Sequence, residues 1–412
     1  MGAGATFAAA RDGLLSALAQ RDRRLTYELA AGVLRRRAEL DRLLPLPTTD
    51  PRLRDILRLG AYQLRHLTRV PAYAAVATSV ELAREAGGER AAGYVNRLLR
   101  DMAREAGGGK RDALETHPRW LVERWTARFG AADAARLMAW NDARPALTLQ
   151  PARCDAATLR ARLEAAGLRV EEAPYGTGFR VIGGTDASRI PLPAQLPGFA
   201  EGAFIVQDPA AALVCRFVAA PPGALVYDGC ASPGGKTVGL ERLGARVLAG
   251  DRRHDRVARL AETARRAGVA IRVIAADLLT APVGLGRVDV VLVDAPCSAT
   301  GTMARHPDAR WRLSPGGMAR VAERQRELLE RAAELVKPGG WIVYATCSLE
   351  PEENVVLVEA FLERHPSFRR DPPPTPRAAI PEALVTARGD FESLPHRHGI
   401  DGAYAARLRR VE

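Results

Sequence analysis

Two cysteines stand in matching surroundings: Cys297 in Asp294-Ala295-Pro296-Cys297-Ser298 and Cys347 in Ala345-Thr346-Cys347-Ser348. A thiolate can add to an electron-poor carbon and split one hard step into two easier ones. Taken singly, a cysteine is more often a small packing residue. Two of them, each directly after a short Val- and Ile-rich run, favour covalent chemistry. Four carboxylates share the same placement, since Asp228, Asp251, Asp277 and Asp294 close the runs Leu225–Asp228, Arg246–Asp251, Ile271–Asp277 and Val288–Asp294. Carboxylates gathered at strand ends suit a ligand rich in hydroxyls, amines or positive charge. A single such Asp would more simply cap the next helix.

After the first of these runs comes Asp228-Gly229-Cys230-Ala231-Ser232-Pro233-Gly234-Gly235-Lys236-Thr237. Gly234 and Gly235 let backbone approach a ligand at a helix N-terminus. The stretch nearly matches GxxxxGK[ST], but Cys230 stands where the first glycine is required. With Val290–Asp294 as a Walker-B-like strand, a phosphate-binding NTPase competes with the covalent reading. Pro233 and the misplaced glycine register weigh against it. The remaining cysteines, Cys154, Cys215 and Cys230, form no CxxC with the other two, and the total of five is odd. Neither a disulfide framework nor a metal site is expected. His254 and His306 show no ligand spacing.

Elements able to position these residues follow from the pattern of apolar runs. From about 205 onward, strand-like runs including Trp341–Cys347 alternate with helical stretches at 235–243, 254–267, 320–336 and 351–364. The fold class is therefore α/β, with a doubly wound, mostly parallel sheet covered on both faces. Adjacent parallel strands lie about 5 Å apart, so both thiols can face one pocket. In the tail, Leu384–Thr386 and Gly402–Leu408 are expected to pair antiparallel at the sheet's end. Residues 1–112 read as an all-helical domain, with breaks at Pro45 and Pro47, Val70-Pro71, Gly87-Gly88 and Gly107–Gly109, and a helix start at Asp50-Pro51. Residues 113–200 read as a small α/β linker domain, with helices through Trp125 and Phe129 and at Leu137–Trp140. Ala146–Gln150 and Phe179–Ile182 read as its strands, Ala156–Ala166 as a further helix, and Pro191, Pro193 and Pro197 punctuate its exit. The catalytic domain spans 201–412.

At 47% hydrophobic and 26% charged, the 412-residue chain has the composition of a globular protein with several domains. It lacks a long uncharged apolar run, so no membrane span is expected. Arg11 and Asp12 in the Ala-rich opening do not resemble a signal peptide. A cytoplasmic monomer is the expectation. The formal net charge is +12, and residues 1–112 carry 20 Lys or Arg against 13 Asp or Glu. Such an excess suits a polyanion, although only Lys110, Lys236 and Lys337 are lysines, and arginine-rich usage also follows from genome composition.

The Asp228–Lys236 loop, Asp294–Ser298, and Ala345–Ser348 followed by Glu352-Glu353-Asn354 resemble the Sun-type RNA cytosine-5 methyltransferase family. Gly301, Arg305-His306-Pro307-Asp308 and Trp311 are similar to its bacterial small-subunit ribosomal RNA branch. The amino-terminal part resembles the NusB RNA-binding fold, through Gly32–Arg37, Leu40-Asp41, Ile56–Leu64 and Val95–Arg100. Ser232, Thr148-Leu149-Gln150 and Ala403 depart from the family's usual residues. The resemblance implies a Rossmann-like class I methyltransferase preceded by a NusB-like domain, with S-adenosylmethionine as cofactor and small-subunit ribosomal RNA as partner. Transfer RNA or another RNA is the alternative substrate, and an RNA-binding scaffold is the alternative of another class. The resemblance also implies Cys347 as nucleophile, Cys297 in loss of the carbon-5 proton, Asp294 on the cytosine edge and Lys236 orienting it. Cys230, Ala231, Ser232, Pro233, Gly234, Gly235 and Lys236 would surround the methionine end of the cofactor. Asp251 would take its ribose and Asp277 its adenine, with Asp294 beside them.

Overall fold

In the computed structural model the chain divides into two compact units, Met1–Arg144 with Met303–Arg312, and Pro145–Thr302 with Leu313–Glu412. The structure describes Phe7 and residues 18–44, 50–104, 116–183, 192–374 and 380–411. Arg11, Asp12, Pro45, Pro47, Gly107–Gly109, Lys110 and Pro191 lie outside the described residues.

The first unit is helical, with helices at Gln20–Leu43, Pro51–His66, Ala72–Arg104, Arg119–Phe129 and Ala131–Asp142. Asp50 caps the second helix, its side chain accepting from Arg52 N, and Pro51 fills the first turn. The Gly87-Gly88 break is realised inside the third helix, where Gly88 takes φ +72°. Leu40, Leu57, Ala61, Val95 and Leu99 form the core of this unit. Gly60 allows close packing there, because a β-carbon would fall 2.4 Å from Leu99 Cδ1.

Residues 303–312 are built into this helical unit. Arg310 is fully buried and donates to Asp142 Oδ1 at 2.8 Å and to the Asn141 carbonyl at 3.0 Å. Trp311 Nε1 donates to the Leu34 carbonyl at 2.6 Å, and Arg35 Nη2 to that of Ala304 at 3.2 Å.

The second unit holds two sheets. The smaller consists of β1 (Leu147–Pro151), β2 (Arg169–Glu172), β3 (Phe179–Gly183) and β4 (Phe204–Val206), in the order β2-β3-β1-β4. Leu159 and Leu163 of the helix Ala156–Ala165 pack with Leu149, Phe179 and Phe204 of this sheet.

The larger sheet contains β5 (Leu225–Asp228), β6 (Arg246–Asp251), β7 (Arg272–Ala275), β8 (Val288–Asp294), β9 (Val336–Thr346), β10 (Phe368–Arg370), β11 (Phe391–Ser393) and β12 (Ala403–Arg410). Its order is β10-β12-β9-β8-β5-β6-β7, with β11 on β12. Strands β5 to β9 are parallel. Side chains alternate between two cores, Val226, Val290, Leu292 and Val343 on one face and Tyr227, Val291, Val293 and Ile342 on the other. Burial on both faces explains why these strands read as unbroken apolar runs.

Two expectations are corrected. The antiparallel partners of β12 are β9, β10 and β11, not Leu384–Thr386. Leu384 ends a 3-10 turn, and Val385 makes only an isolated bridge to Phe391. Strand β7 stops at Ala275, so Asp277 lies two residues beyond it, where its carboxylate accepts from Leu279 N and closes a turn.

Candidate active site

From β5 the chain passes to β6 and β7 on one side, then returns to β8 and β9 on the other. Strand order thus reverses between β5 and β8, and in an open α/β sheet the ligand crevice lies outside the carboxyl ends at that place. The loops after β5, β8 and β9 carry the residues singled out by type and spacing.

Cys297 and Cys347 are brought together. Their sulfurs are 2.9 Å apart and both side chains are half-buried. A disulfide bond would measure about 2.05 Å, so these are two thiols in contact. The register sets Asp294 opposite Ala345, Ala295 N donates to the Ala345 carbonyl at 2.8 Å, and Gly301 N donates to the Cys347 carbonyl at 2.9 Å. The contact makes the thiols unequal. Cys347 is lowered, chiefly by the hydrogen bond from Cys297, against burial and the Asp294 charge and with help from Lys236 and the Thr302 hydroxyl. Cys297 is raised, first by that same hydrogen bond, then by burial and by the charges of Cys347 and Glu353.

Lys236, on the first turn of the helix Gly235–Arg242, donates to Asp294 Oδ2 at 2.7 Å. Burial works against the ammonium charge, but the carboxylate overcomes it and raises the lysine above its ordinary value. This pairing also decides against the phosphate-loop reading. The lysine is engaged by the β8 carboxylate, while Ala231 N and Gly234 N are spent on the carbonyls of Gly250 and Ala231.

The loop of Cys230, Ala231, Ser232, Pro233, Gly234 and Gly235 is braced by Arg256. Ser232 Oγ donates to the Arg256 carbonyl and Arg256 Nη2 donates to that of Ser232, both at 3.0 Å. Gly234 takes φ +103°, a conformation that favours glycine. Burial pushes the Cys230 thiol well up, which marks it as unreactive.

The carboxylates divide. Asp251 is buried, accepts from Arg253 N at 3.1 Å and lies 3.4 Å from Arg256 Nε. Asp277 is held by Arg324 Nη2 at 2.8 Å, a partner 47 residues away that no local pattern reveals. Asp228 is fully buried and accepts from Thr237 Oγ1 at 2.7 Å, while the helix that follows starts after Gly234 with no side-chain cap, so Asp228 is not that helix's cap. Burial, against the pull of Thr237, pushes its carboxyl up to about 7. Its Oδ1 has no hydrogen-bond partner. That orphaned acceptor, with the lone pairs left on Asp251 and Asp277, suits a ligand bearing amines and hydroxyls.

Sequence reasoning missed the support beneath the cysteines. Ser298 N and Gln325 Nε2 both donate to Glu353 Oε2 at 2.9 Å, and Ser348 Oγ donates to Glu353 Oε1 at 2.8 Å. Asn354 accepts from Thr346 Oγ1 at 2.6 Å and donates to the Ser348 carbonyl at 2.8 Å. The repeated Cys-Ser dipeptide was the available signal. Among the described residues no helix is long and apolar enough to cross a membrane.

Comparisons with known proteins identify what the chain is similar to. Residues 217–409 match the family model described as 16S rRNA methyltransferase RsmB/F. Residues 4–104 match the NusB family, and 117–186 a ferredoxin-like domain of RsmF/B-like methyltransferases. A probable ribosomal RNA small subunit methyltransferase B from Synechocystis is 37% identical, covering 95% of this chain and 92% of its own length. The ribosomal RNA small subunit methyltransferase B of Vibrio cholerae is 34% identical, covering 95% and 90%. The solved structure of PH0851 superposes with a TM-score of 0.80 at 26% identity, covering 97% of this chain and 94% of that one.

Proposed function

The chain belongs to the 16S rRNA methyltransferase RsmB/F family, and from that membership we propose that it methylates carbon 5 of a cytosine in small-subunit ribosomal RNA. The carrying observation is the pair of thiols, 2.9 Å apart, in the loops at the ends of adjacent strands. S-adenosylmethionine, when bound, supplies an electrophilic methyl group. The loop 230–236 would hold its methionine end, Asp251 its ribose hydroxyls and Asp277 its adenine amine, with Asp277 sharing its oxygens between the ligand and Arg324. The unpartnered Asp228 Oδ1 supports a donor-bearing ligand here.

Carbon 5 of cytosine is a weak nucleophile. Cys347, the thiol held low, adds to carbon 6: a sulfur–carbon bond forms and the ring electrons move toward N3. Asp294 holds that edge while the charge develops, and Lys236 holds Asp294. The ring is then an enamine whose carbon 5 is nucleophilic. Once methylated, carbon 5 must lose its proton. The hydrogen bond to Cys347, the largest cause keeping Cys297 protonated, is weakened when the Cys347 sulfur is bound to carbon. Cys297 can then release its proton to water and, as a thiolate, take the one on carbon 5, whose electrons re-form the carbon 5–carbon 6 double bond. The carbon–sulfur bond breaks and its electrons return to Cys347.

The target base must leave any stack to reach the thiol. The positive excess on residues 1–112 supports a polyanionic partner. Incubation with methyl-labelled S-adenosylmethionine and unmodified small-subunit ribosomal RNA, followed by nucleoside analysis, tests the reading. Labelled 5-methylcytidine is expected. Cofactor binding with no labelled cytidine in any RNA would overturn it.

A further inference from the structure

Glu353 has no place in the transfer steps, yet its carboxylate lies under both cysteine-bearing loops. It ends a 3-10 turn, Pro351–Glu353, and is fully buried. Oε2 accepts from Ser298 N, the amide directly after Cys297, and Oε1 accepts from Ser348 Oγ, on the residue directly after Cys347. Gln325, from the helix Pro315–Leu335, donates both to Oε2 and to the Pro296 carbonyl, on the other side of Cys297. Tyr344 OH donates to the Glu353 carbonyl at 2.7 Å, tying the turn to β9. One side chain therefore spans the two loops whose sulfurs meet, through three neutral donors.

We propose that Glu353 is a positioning residue that clips the Cys297 and Cys347 loops together and gives the two thiols their different roles. The proposal rests on the roles assigned to the thiols above. The clip fixes the sulfur contact through Ser298 and Ser348. The carboxylate charge acts on Cys297 from beneath, in the same direction as Cys347. Tyr344 of β9 also interacts with Cys297, while Asp294 and Lys236 act on Cys347 from β8 and from the helix after β5. Negative charge on the Cys297 side holds that thiol protonated as donor and leaves Cys347 as acceptor.

Shape and charge can be separated at this position. In Glu353→Gln the amide oxygen can keep the two donors of Oε2, and the amide nitrogen can donate to Ser348 Oγ. The serine proton then turns to Ser298 Oγ or Thr300 Oγ1, 3.0 and 3.3 Å away. The variant keeps the clip and loses the charge. Gln325→Leu removes one neutral donor to the same oxygen while keeping both the charge and the Ser298 and Ser348 bonds.

The experiment is alkylation of the full chain by iodoacetamide across pH 6 to 10, without cofactor or RNA, with labelling at each cysteine read by peptide mass spectrometry. Wild-type protein should label at Cys347 well below the pH at which Cys297 labels. Glu353→Gln should move Cys297 labelling to lower pH, so that Cys347-over-Cys297 selectivity near neutral pH falls, by about tenfold if the charge is worth ~1.4 kcal/mol. Gln325→Leu should leave the selectivity unchanged. Unchanged selectivity in Glu353→Gln, or an equal loss in both variants, would overturn the proposal. Should Glu353→Gln not fold, the wild type still decides, since faster labelling at Cys297 than at Cys347 would overturn it alone. Methyl transfer is not read in this assay, so the proposal can fail while transfer through Cys347 stands, and the reverse.

Discussion

Replacing Lys236 by methionine removes the cation that Asp294 accepts from at 2.7 Å while keeping most of the side-chain volume. Breaking one half of a buried ion pair costs ~3–5 kcal/mol, because the surviving charge is left without its partner. The lysine and aspartate side chains keep 19% and 29% of their exposure, so water recovers part of that loss. The lower end, ~3 kcal/mol, is therefore expected. If Asp294 must be held in place while charge develops on the base, that cost appears in the transition state as roughly a hundredfold loss of kcat. Lys236→Arg keeps a charge but presents a longer planar fork, and should fall between. The deciding assay is a cycle of Lys236→Met, Asp294→Asn and the double variant in labelled methyl transfer. If lysine acts through aspartate, the double variant is no worse than the worse single one, and the coupling is ~2 kcal/mol or more. Independent, multiplying losses, or a Lys236→Met enzyme of near wild-type rate, would refute the reasoning.

Three further outcomes are expected. Asp228, pushed up to about 7 by burial, has a folded pKa above its unfolded value of about 3.9, so the unfolded chain loses its proton first as pH rises. Its contribution to stability is thus fully present below pH ~4, declines up to pH ~7 and is then level, a loss of ~4 kcal/mol. Asp228→Asn should remove this slope in denaturant melts between pH 4 and 8, and an unchanged slope would count against it. Cys347→Ala should abolish methyl transfer, whereas Cys297→Ala should accumulate a protein–RNA adduct that survives denaturation; exchanged results in an adduct gel would exchange the two roles. Arg310→Met leaves Asp142 buried without its 2.8 Å partner and should lower the stability of the helical unit by ~3 kcal/mol. Hydrogen exchange in residues 119–142 reads that change, and unaltered protection would contradict it.

What was legible in the sequence was whatever repeated locally. The strands β5, β6, β8 and β9 are largely buried on both faces, so each appears as a short run rich in Val, Ile and Leu whose end marks the crevice. Asp228, Asp251, Asp294 and Cys347 were found in this way. Strand β2, Arg169-Val170-Glu171-Glu172, lies mostly at the surface and carries no such run. The partners of β12 were misread because a strand bonded to β9, β10 and β11 gives no hint of its neighbours. Side-chain partners distant in the chain, Arg324 for Asp277 and Gln325 for Glu353, were likewise silent. Glu353 itself stood within a recognised motif, but a motif does not say which donors a carboxylate will meet.

The ten residues 303–312 give the chain an unusual thread. Having built the helical unit and passed into the second, it returns to the first for a single short visit and leaves again. The peptide therefore crosses between the units three times, at 144–145, at 302–303 and at 312–313. No single cut separates them into independent parts. A fragment ending at residue 144 would lack Arg310 and expose Asp142 and the Asn141 carbonyl, while a fragment beginning at 145 would carry ten residues with no home. The two units therefore do not follow one another as beads on a string, and an engineered exchange of the helical unit must bring its own version of residues 303–312.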